Sequence, residues 1–252
     1  MKKILFLSIL VIGFSLKAQV FSGGRMQVGI DEHLGDTIPL NLTFVNELND
    51  TVTLRQLIDR PTVFSFVYFD CPGLCSSLQQ GVSDVIGQSD LVIGKDYKSI
   101  TISFNYQDDP SKATVKKKNF AQFVSKDKSQ NWYYLTSDSA TINRVLTAFG
   151  YKVKVTGLDF MHPSGIVVVS PVGKITRYLY GLQFNPFDFK MAIIEAQKGI
   201  ARPTINKVLD FCFAYEPSGR RYSLQVMKIS ATIIIFFALV FLSILILKKK
   251  KN

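Results

Sequence analysis

Residues 63–69 read Val63-Phe64-Ser65-Phe66-Val67-Tyr68-Phe69, a run with almost no polar side chain. A strand of this kind has no face to offer water, so it must lie inside a sheet covered on both sides. Such sheets are built from strands alternating with helices. The rest of the body repeats that alternation. Residues 42–45 read as a short strand, 46–50 as a turn, and 52–57 as a strand running into a short helical turn. Residues 76–86 should be a helix with Leu78, Val82 and Ile86 on one face. Residues 97–104 read as the next strand. A helix over 110–124 follows, capped by Asp108 or Asp109, with Pro110 suited to its first turn. Residues 132–135 read as a short strand, and 138–149 as a helix ended by Gly150. Residues 166–169 and 175–180 make a hairpin around Ser170-Pro171-Val172-Gly173, and helices over 187–196 and 204–213 complete the body. The expectation is an α/β domain whose mainly parallel sheet carries an antiparallel hairpin at one side.

The ends of the chain indicate where it works. Residues 1–18 hold Lys2 and Lys3, an apolar stretch over 4–16, and then Lys17-Ala18, which reads as a secretory signal peptide. Residues 229–247 carry no charge and are rich in Ile, Phe and Leu, with Lys248 to Lys251 directly after them. That pattern reads as a transmembrane helix with a basic cytoplasmic tail over 248–252, which turns the body outward. The expected organisation is a signal peptide (1–18), an extended lead-in (19–40), a domain over 41–225 and the anchor. The implied place is the cytoplasmic membrane, with a single C-terminal pass and the main domain facing the periplasm or outer side.

The formal charge of +11 needs that division to be understood. Eight of the positive charges, Lys2, Lys3, Lys17, Lys228 and Lys248 to Lys251, lie toward the two ends, which leaves the exported body at only +3. That is an ordinary solvated surface and no footprint for nucleic acid. Lys116-Lys117-Lys118 reads as one exposed helical turn, and His33, in a polar lead-in, as a solvated surface residue.

The chain has three cysteines, an odd count that argues against a purely structural disulfide framework. Cys212 sits among apolar neighbours and reads as a buried inert thiol. Cys71 and Cys75 form a Cys-x-x-x-Cys pair where the apolar strand gives way to a helix. Two functions suit the pair. In a redox role one thiolate attacks a disulfide and the other resolves it, helped by the helix N-terminus. In a metal role both sulfurs hold one ion, and the three intervening residues give the turn room to point both inward. A third ligand discriminates between them. His162, just before the strand at 166–169, is the candidate. Two thiolates and one imidazole form a soft donor set suited to Cu(I) and, with a rearranged shell, Cu(II). A closed zinc site needs a fourth donor, and none is evident in the sequence.

Four stretches, in order, carry a family resemblance. They are Gly29-Ile30-Asp31-Glu32-His33-Leu34-Gly35, the strand and turn from Phe64 to Cys75, His162-Pro163 with Val167-Val168-Val169-Ser170-Pro171-Val172-Gly173-Lys174, and Arg177-Tyr178-Leu179-Tyr180-Gly181. Over roughly residues 28–225 the chain resembles the Sco/SenC family of copper chaperones. The resemblance implies a thioredoxin-like fold with a central mixed sheet flanked by helices, and copper held by Cys71, Cys75 and His162. It also implies delivery to the dinuclear copper site of cytochrome c oxidase, with that enzyme's copper-accepting subunit, an upstream copper donor or thiol reductant, and the membrane as partners. A carrier of this kind is not an enzyme. The sequence departs from the family where many members place Asp directly before the copper-binding His. Met161 stands there, and Asp159, three residues upstream of His162, is the candidate acceptor to orient the imidazole. The alternative reading is a membrane-anchored thiol-disulfide oxidoreductase that reduces client cysteines and needs no His162. A peroxiredoxin-like peroxidase usually has Thr three residues before its reactive Cys, where this chain has Tyr68.

Overall fold

The computed structural model describes residues 28–71, 73–122, 124, 129–157, 159–202, 213–216, 221–224, 234, 237, 238 and 241. In chain order the elements are β1 (Gly29–Ile30), β2 (Thr43–Asn46), β3 (Thr51–Thr53), α1 (Leu54–Leu57), β4 (Thr62–Val67), α2 (Leu74–Gln88) and β5 (Lys98–Ser103). Next come α3 (Pro110–Ala121), β6 (Trp132–Thr136), α4 (Ser139–Ala148), β7 (Tyr151–Lys152), β8 (Lys154–Thr156) and β9 (Asp159–Met161). The last are β10 (Gly165–Val169), β11 (Ile175–Tyr180), α5 (Pro186–Gln197), β12 (Phe213–Glu216) and β13 (Arg221–Leu224). The signal peptide, the start of the lead-in, Cys212, most of 229–247 and the basic tail lie outside the described residues. Among the described residues no helix is long and apolar enough to cross a membrane. The helix expected over 204–213 also falls largely outside them, and Phe213 instead opens the β12–β13 hairpin.

The central sheet has seven strands in the order β11-β10-β4-β5-β6-β2-β3. All six residues of β4 and of β5 are buried, as strands covered on both faces require. Parallel pairing is confined to β4–β5 and β5–β6. Antiparallel hairpins extend both flanks, β10–β11 beside β4 and β2–β3 beside β6. The sheet is therefore mixed and not mainly parallel. The N-terminal hairpin needs only a short turn, so it adds to the far edge without a helical crossover. Helix α2 lies beside α3 and α5, with α3 against β6 and β2 and α5 against β10 and β11.

Local signals explain the helix ends. Asp109 accepts from the amides of Ser111 (2.8 Å) and Lys112 (3.0 Å) at the start of α3, and Pro110 occupies the first turn. Asp138 does the same for α4 through Thr141, and Gly150 ends that region at φ +61°. Asp108, the other cap candidate, is buried and turns inward to the Phe69 amide and the Ser103 hydroxyl. The lysine run is not one exposed turn: Lys116 is buried, its ammonium 5.6 Å from the Phe120 ring. His33 is half-buried, because β1 pairs with β7 and draws the lead-in onto the domain. Its Nδ1 lies 3.1 Å from the Ala148 carbonyl.

A polar circuit is buried between α2 and the sheet. The Gln79 amide donates to Ser65 Oγ, and its oxygen accepts from Thr101 and Tyr134. Thr101 also accepts from the Trp132 indole and bonds to Ser65. Every member is satisfied, which fixes α2 against β4, β5 and β6. A Gln79→Ala chain leaves the Tyr134 and Thr101 hydroxyls without this acceptor. Its unfolding free energy in a urea titration is expected to fall by about 2–4 kcal/mol; an unchanged midpoint would show that the circuit contributes nothing.

Candidate metal centre

The strand order brings the two halves of the site together. β4 and β10 are antiparallel neighbours, with Ile166 opposite Ser65. The C-terminal end of β4 therefore lies beside the residues that precede β10. Cys71 follows β4, Cys75 sits in the first turn of α2, and His162 precedes β10. Their ligand atoms all lie within 4.8 Å of one another. His162 Nε2 is 3.2 Å from Cys75 Sγ. Two metal–ligand bonds laid end to end span about 4.3–4.6 Å, so the three atoms can meet on one ion with small shifts. Two soft sulfurs and one imidazole, with no fourth donor among the described residues, fit a monovalent copper ion better than a closed zinc site.

The two thiols differ. Cys71 is half-buried, and its sulfur accepts from the amides of Gly73 and Cys75, each at 3.4 Å. Burial pushes its acidity the other way. The neighbouring Cys75 thiol, those two amides and the Tyr68 side chain outweigh it and hold Cys71 below the ordinary thiol range. Cys75 is fully buried, and burial holds its thiol well above that range. The buried thiol therefore keeps its proton and donates to His162 Nε2. The Pro163 carbonyl, 2.8 Å from His162 Nδ1, can only accept, so Nδ1 carries the ring proton and Nε2 presents its lone pair to the sulfurs. Burial lowers the His162 pKa against the opposing effects of that carbonyl and of Asp159, which keeps the ring neutral.

Asp159 is not the hydrogen-bond partner of His162. Its carboxylate accepts from the Tyr68 hydroxyl and from the Phe160 amide at 2.7 Å, and the imidazole is oriented by the Pro163 carbonyl instead. That carbonyl also accepts from the buried Tyr151 hydroxyl. Phe104 and Tyr68 wall the ring, with centroids 5.1 Å and 6.5 Å from it, and Phe160 packs on both at 5.4 Å and 5.1 Å. The sequence alone does not single out these aromatics. The one usable signal was Tyr68 itself, a hydroxyl at the end of an otherwise apolar strand and three residues before a functional cysteine.

Comparison with known proteins bears on the fold and the family. A crystal structure of a provisionally assigned electron transfer protein from Aquifex aeolicus VF5 is similar at 26% identity and a TM-score of 0.59, covering 66% of this chain and 95% of that one. BsSco, a member of the Sco family of cytochrome c oxidase assembly proteins described with a disulfide switch, is similar at 21% identity and a TM-score of 0.51, over 67% and 98%. Arabidopsis thaliana ScoI with copper bound is similar at 16% identity and a TM-score of 0.50, over 66% and 98%. No curated protein matches the sequence. The SCO1/SenC family model matches residues 32–195, which hold Cys71, Cys75, His162 and the whole seven-stranded sheet, and the chain belongs to that family.

Proposed function

We propose that this chain is a membrane-anchored copper carrier of the extracytoplasmic side, which binds one copper through Cys71, Cys75 and His162 and delivers it to the dinuclear copper site of cytochrome c oxidase. The observation that carries the reading is the convergence of two thiols and one correctly tautomeric imidazole at one end of the sheet. Copper bound to the Arabidopsis relative, and the assembly role given for the Sco family with BsSco, support it. The uncharged stretch over 229–247 and the leader over 1–18 support the anchor and the outward orientation.

The chain's residues act here by ligand exchange. The two sulfurs and Nε2 hold the cargo, and the donors of an accepting subunit replace them one at a time, so the ion is never free. Nothing is oxidised or cleaved, and the protein acts as a carrier and not an enzyme. The full chain in detergent should bind one Cu(I), with two sulfurs and one nitrogen seen by X-ray absorption. His162→Ala should lose the nitrogen and weaken binding by about tenfold to a hundredfold, the effect of disturbing an ordered ligand shell. A His162→Ala chain with parental affinity and an unchanged absorption edge would refute the three-ligand site.

The unequal thiols favour one second reading. Cys71, accessible and acidic, is built as an attacking thiolate, and buried Cys75 as a resolving thiol. In that role Cys71 opens a client disulfide, Cys75 displaces the client from the mixed disulfide, and a thiol reductant reduces the Cys71–Cys75 bond. This activity survives the loss of His162, which separates the two readings.

A further inference from the structure

His162 is held from two sides. On the buried side, the Tyr151 hydroxyl and His162 Nδ1 share the Pro163 carbonyl. Tyr151 is 3% exposed, packs on Phe66 at 4.9 Å, and belongs to the core. On the outer side, the residues before His162 form the β8–β9 hairpin, a separate two-stranded sheet. All three residues of β8 are exposed, and in β9 only Phe160 is part-buried. Besides that ring, the bond from the Tyr68 hydroxyl to Asp159 ties the hairpin to the domain. Tyr68 is buried at the end of β4, three residues before Cys71, whose amide donates to the Tyr68 carbonyl at 3.3 Å. One phenol thus connects the segment that carries the cysteines to the segment that carries the histidine.

We infer that the Tyr68 hydroxyl and the Asp159 carboxylate form a latch that positions His162 over the thiol pair, and that opening this latch makes the imidazole the first ligand given up to an acceptor. The hand-off part rests on the copper reading above; the latch itself does not. The reason for the order is mechanical. Cys75 is fixed by α2, which the buried Gln79 circuit ties to the sheet, and Cys71 is held at the same helix end by two amides. His162 sits where an exposed hairpin meets β10, so swinging the hairpin outward breaks the charge-assisted Tyr68–Asp159 bond and separates the Phe160 ring from Tyr68 and Phe104. Moving either sulfur would disturb the core. With the imidazole withdrawn, buried Cys75 loses its cover and two thiolates face an approaching acceptor. Tyr68 and Asp159 are therefore positioning residues and not ligands.

The test uses Tyr68→Phe, Asp159→Ala and Asp159→Asn in the full chain. Tyr68→Phe keeps the ring stack and removes the donor. Asp159→Ala removes the acceptor from an exposed position, where loss of folding is not expected. Asp159→Asn keeps an oxygen that accepts from Tyr68. In metal-free reduced protein, iodoacetamide labelling of Cys75, followed by mass spectrometry, should run about tenfold faster in the first two variants and near the parental rate in the third, the size expected for losing one hydrogen bond to a charged group. Loaded with Cu(I), the same two variants should pass copper to bicinchoninate about tenfold faster. Equal Cys75 labelling in the parent, Tyr68→Phe and Asp159→Ala overturns the latch whether or not copper binds. A parent that binds no Cu(I), while its variants still unmask Cys75, sinks the copper reading and upholds the latch.

Discussion

Cys75→Ser is expected to abolish useful Cu(I) binding while the protein stays folded. A hydroxyl is a hard, weakly basic donor that does not ionise here, so the site falls from two thiolates to one. The loss should be a thousandfold or more in Kd, about 4 kcal/mol. The fold should tolerate the change for two reasons. Serine is smaller than cysteine and creates no clash in the first turn of α2. Its hydroxyl also replaces the thiol as donor to His162 Nε2, 3.2 Å away. Cys71→Ser should lose copper to a similar degree but for a different physical reason. There the lost group is the accessible sulfur that collects the amides of Gly73 and Cys75, and those amides keep a hydroxyl as acceptor. The check is a competition titration of each variant against a Cu(I) chelator, with circular dichroism to confirm the fold. A Cys75→Ser chain that took up one Cu(I) at parental affinity would show that the buried thiol is not a ligand, and the three-donor site would have to be abandoned.

Much of the site was legible because its chemistry is sparse. With two histidines and three cysteines in the chain, few soft donor sets exist to be considered. The strand leading to Cys71 announces its burial through its lack of polar residues, and β4 is buried at every position. The cap Asp109 is readable for the same local reason: a carboxylate two or three residues before the amides it serves needs no tertiary information, and Asp138, placed by the sequence reading inside its helix, caps it through Thr141 instead. What the sequence hid is what depends on long-range approach. The Tyr68–Asp159 bond joins residues 91 positions apart, and the Tyr151 hydroxyl reaches the Pro163 carbonyl from β7. The β8–β9 hairpin has exposed residues at nearly every position, so no apolar alternation marks it. His33 and Lys116 were misplaced because polarity was read as exposure. A carbonyl receives the first, and an aromatic face with the Ser76 hydroxyl receives the second.

Gly81→Ala is the substitution expected to cost the fold most for its size, and helix propensity argues the opposite. Gly81 lies inside α2, where alanine is favoured over glycine by about 1 kcal/mol. A methyl group there would sit 1.8 Å from the Leu182 carbonyl oxygen and 2.9 Å from its carbon. Both atoms are backbone, in the segment that links β11 to α5, so no flexible side chain can give way. Either α2 or the 182 segment must retreat by more than an ångström, and α2 is already pinned on its other side by Gln79. Overpacking of this kind costs about 3 kcal/mol or more, which exceeds the propensity gain. A net loss of about 2–3 kcal/mol corresponds to roughly 4–12 °C in Tm for a domain of this size. The effect should reach the metal centre as well. Cys75 is six residues earlier on the same helix, about 9 Å along its axis, so tilting α2 away from residue 182 moves the buried sulfur relative to His162. Thermal unfolding and Cu(I) competition on the same variant should therefore both weaken. A Gly81→Ala chain with parental or raised Tm would mean that α2 packs farther from Leu182 than the structure shows, and the rigid placement of Cys75 that the hand-off order depends on would lose its support.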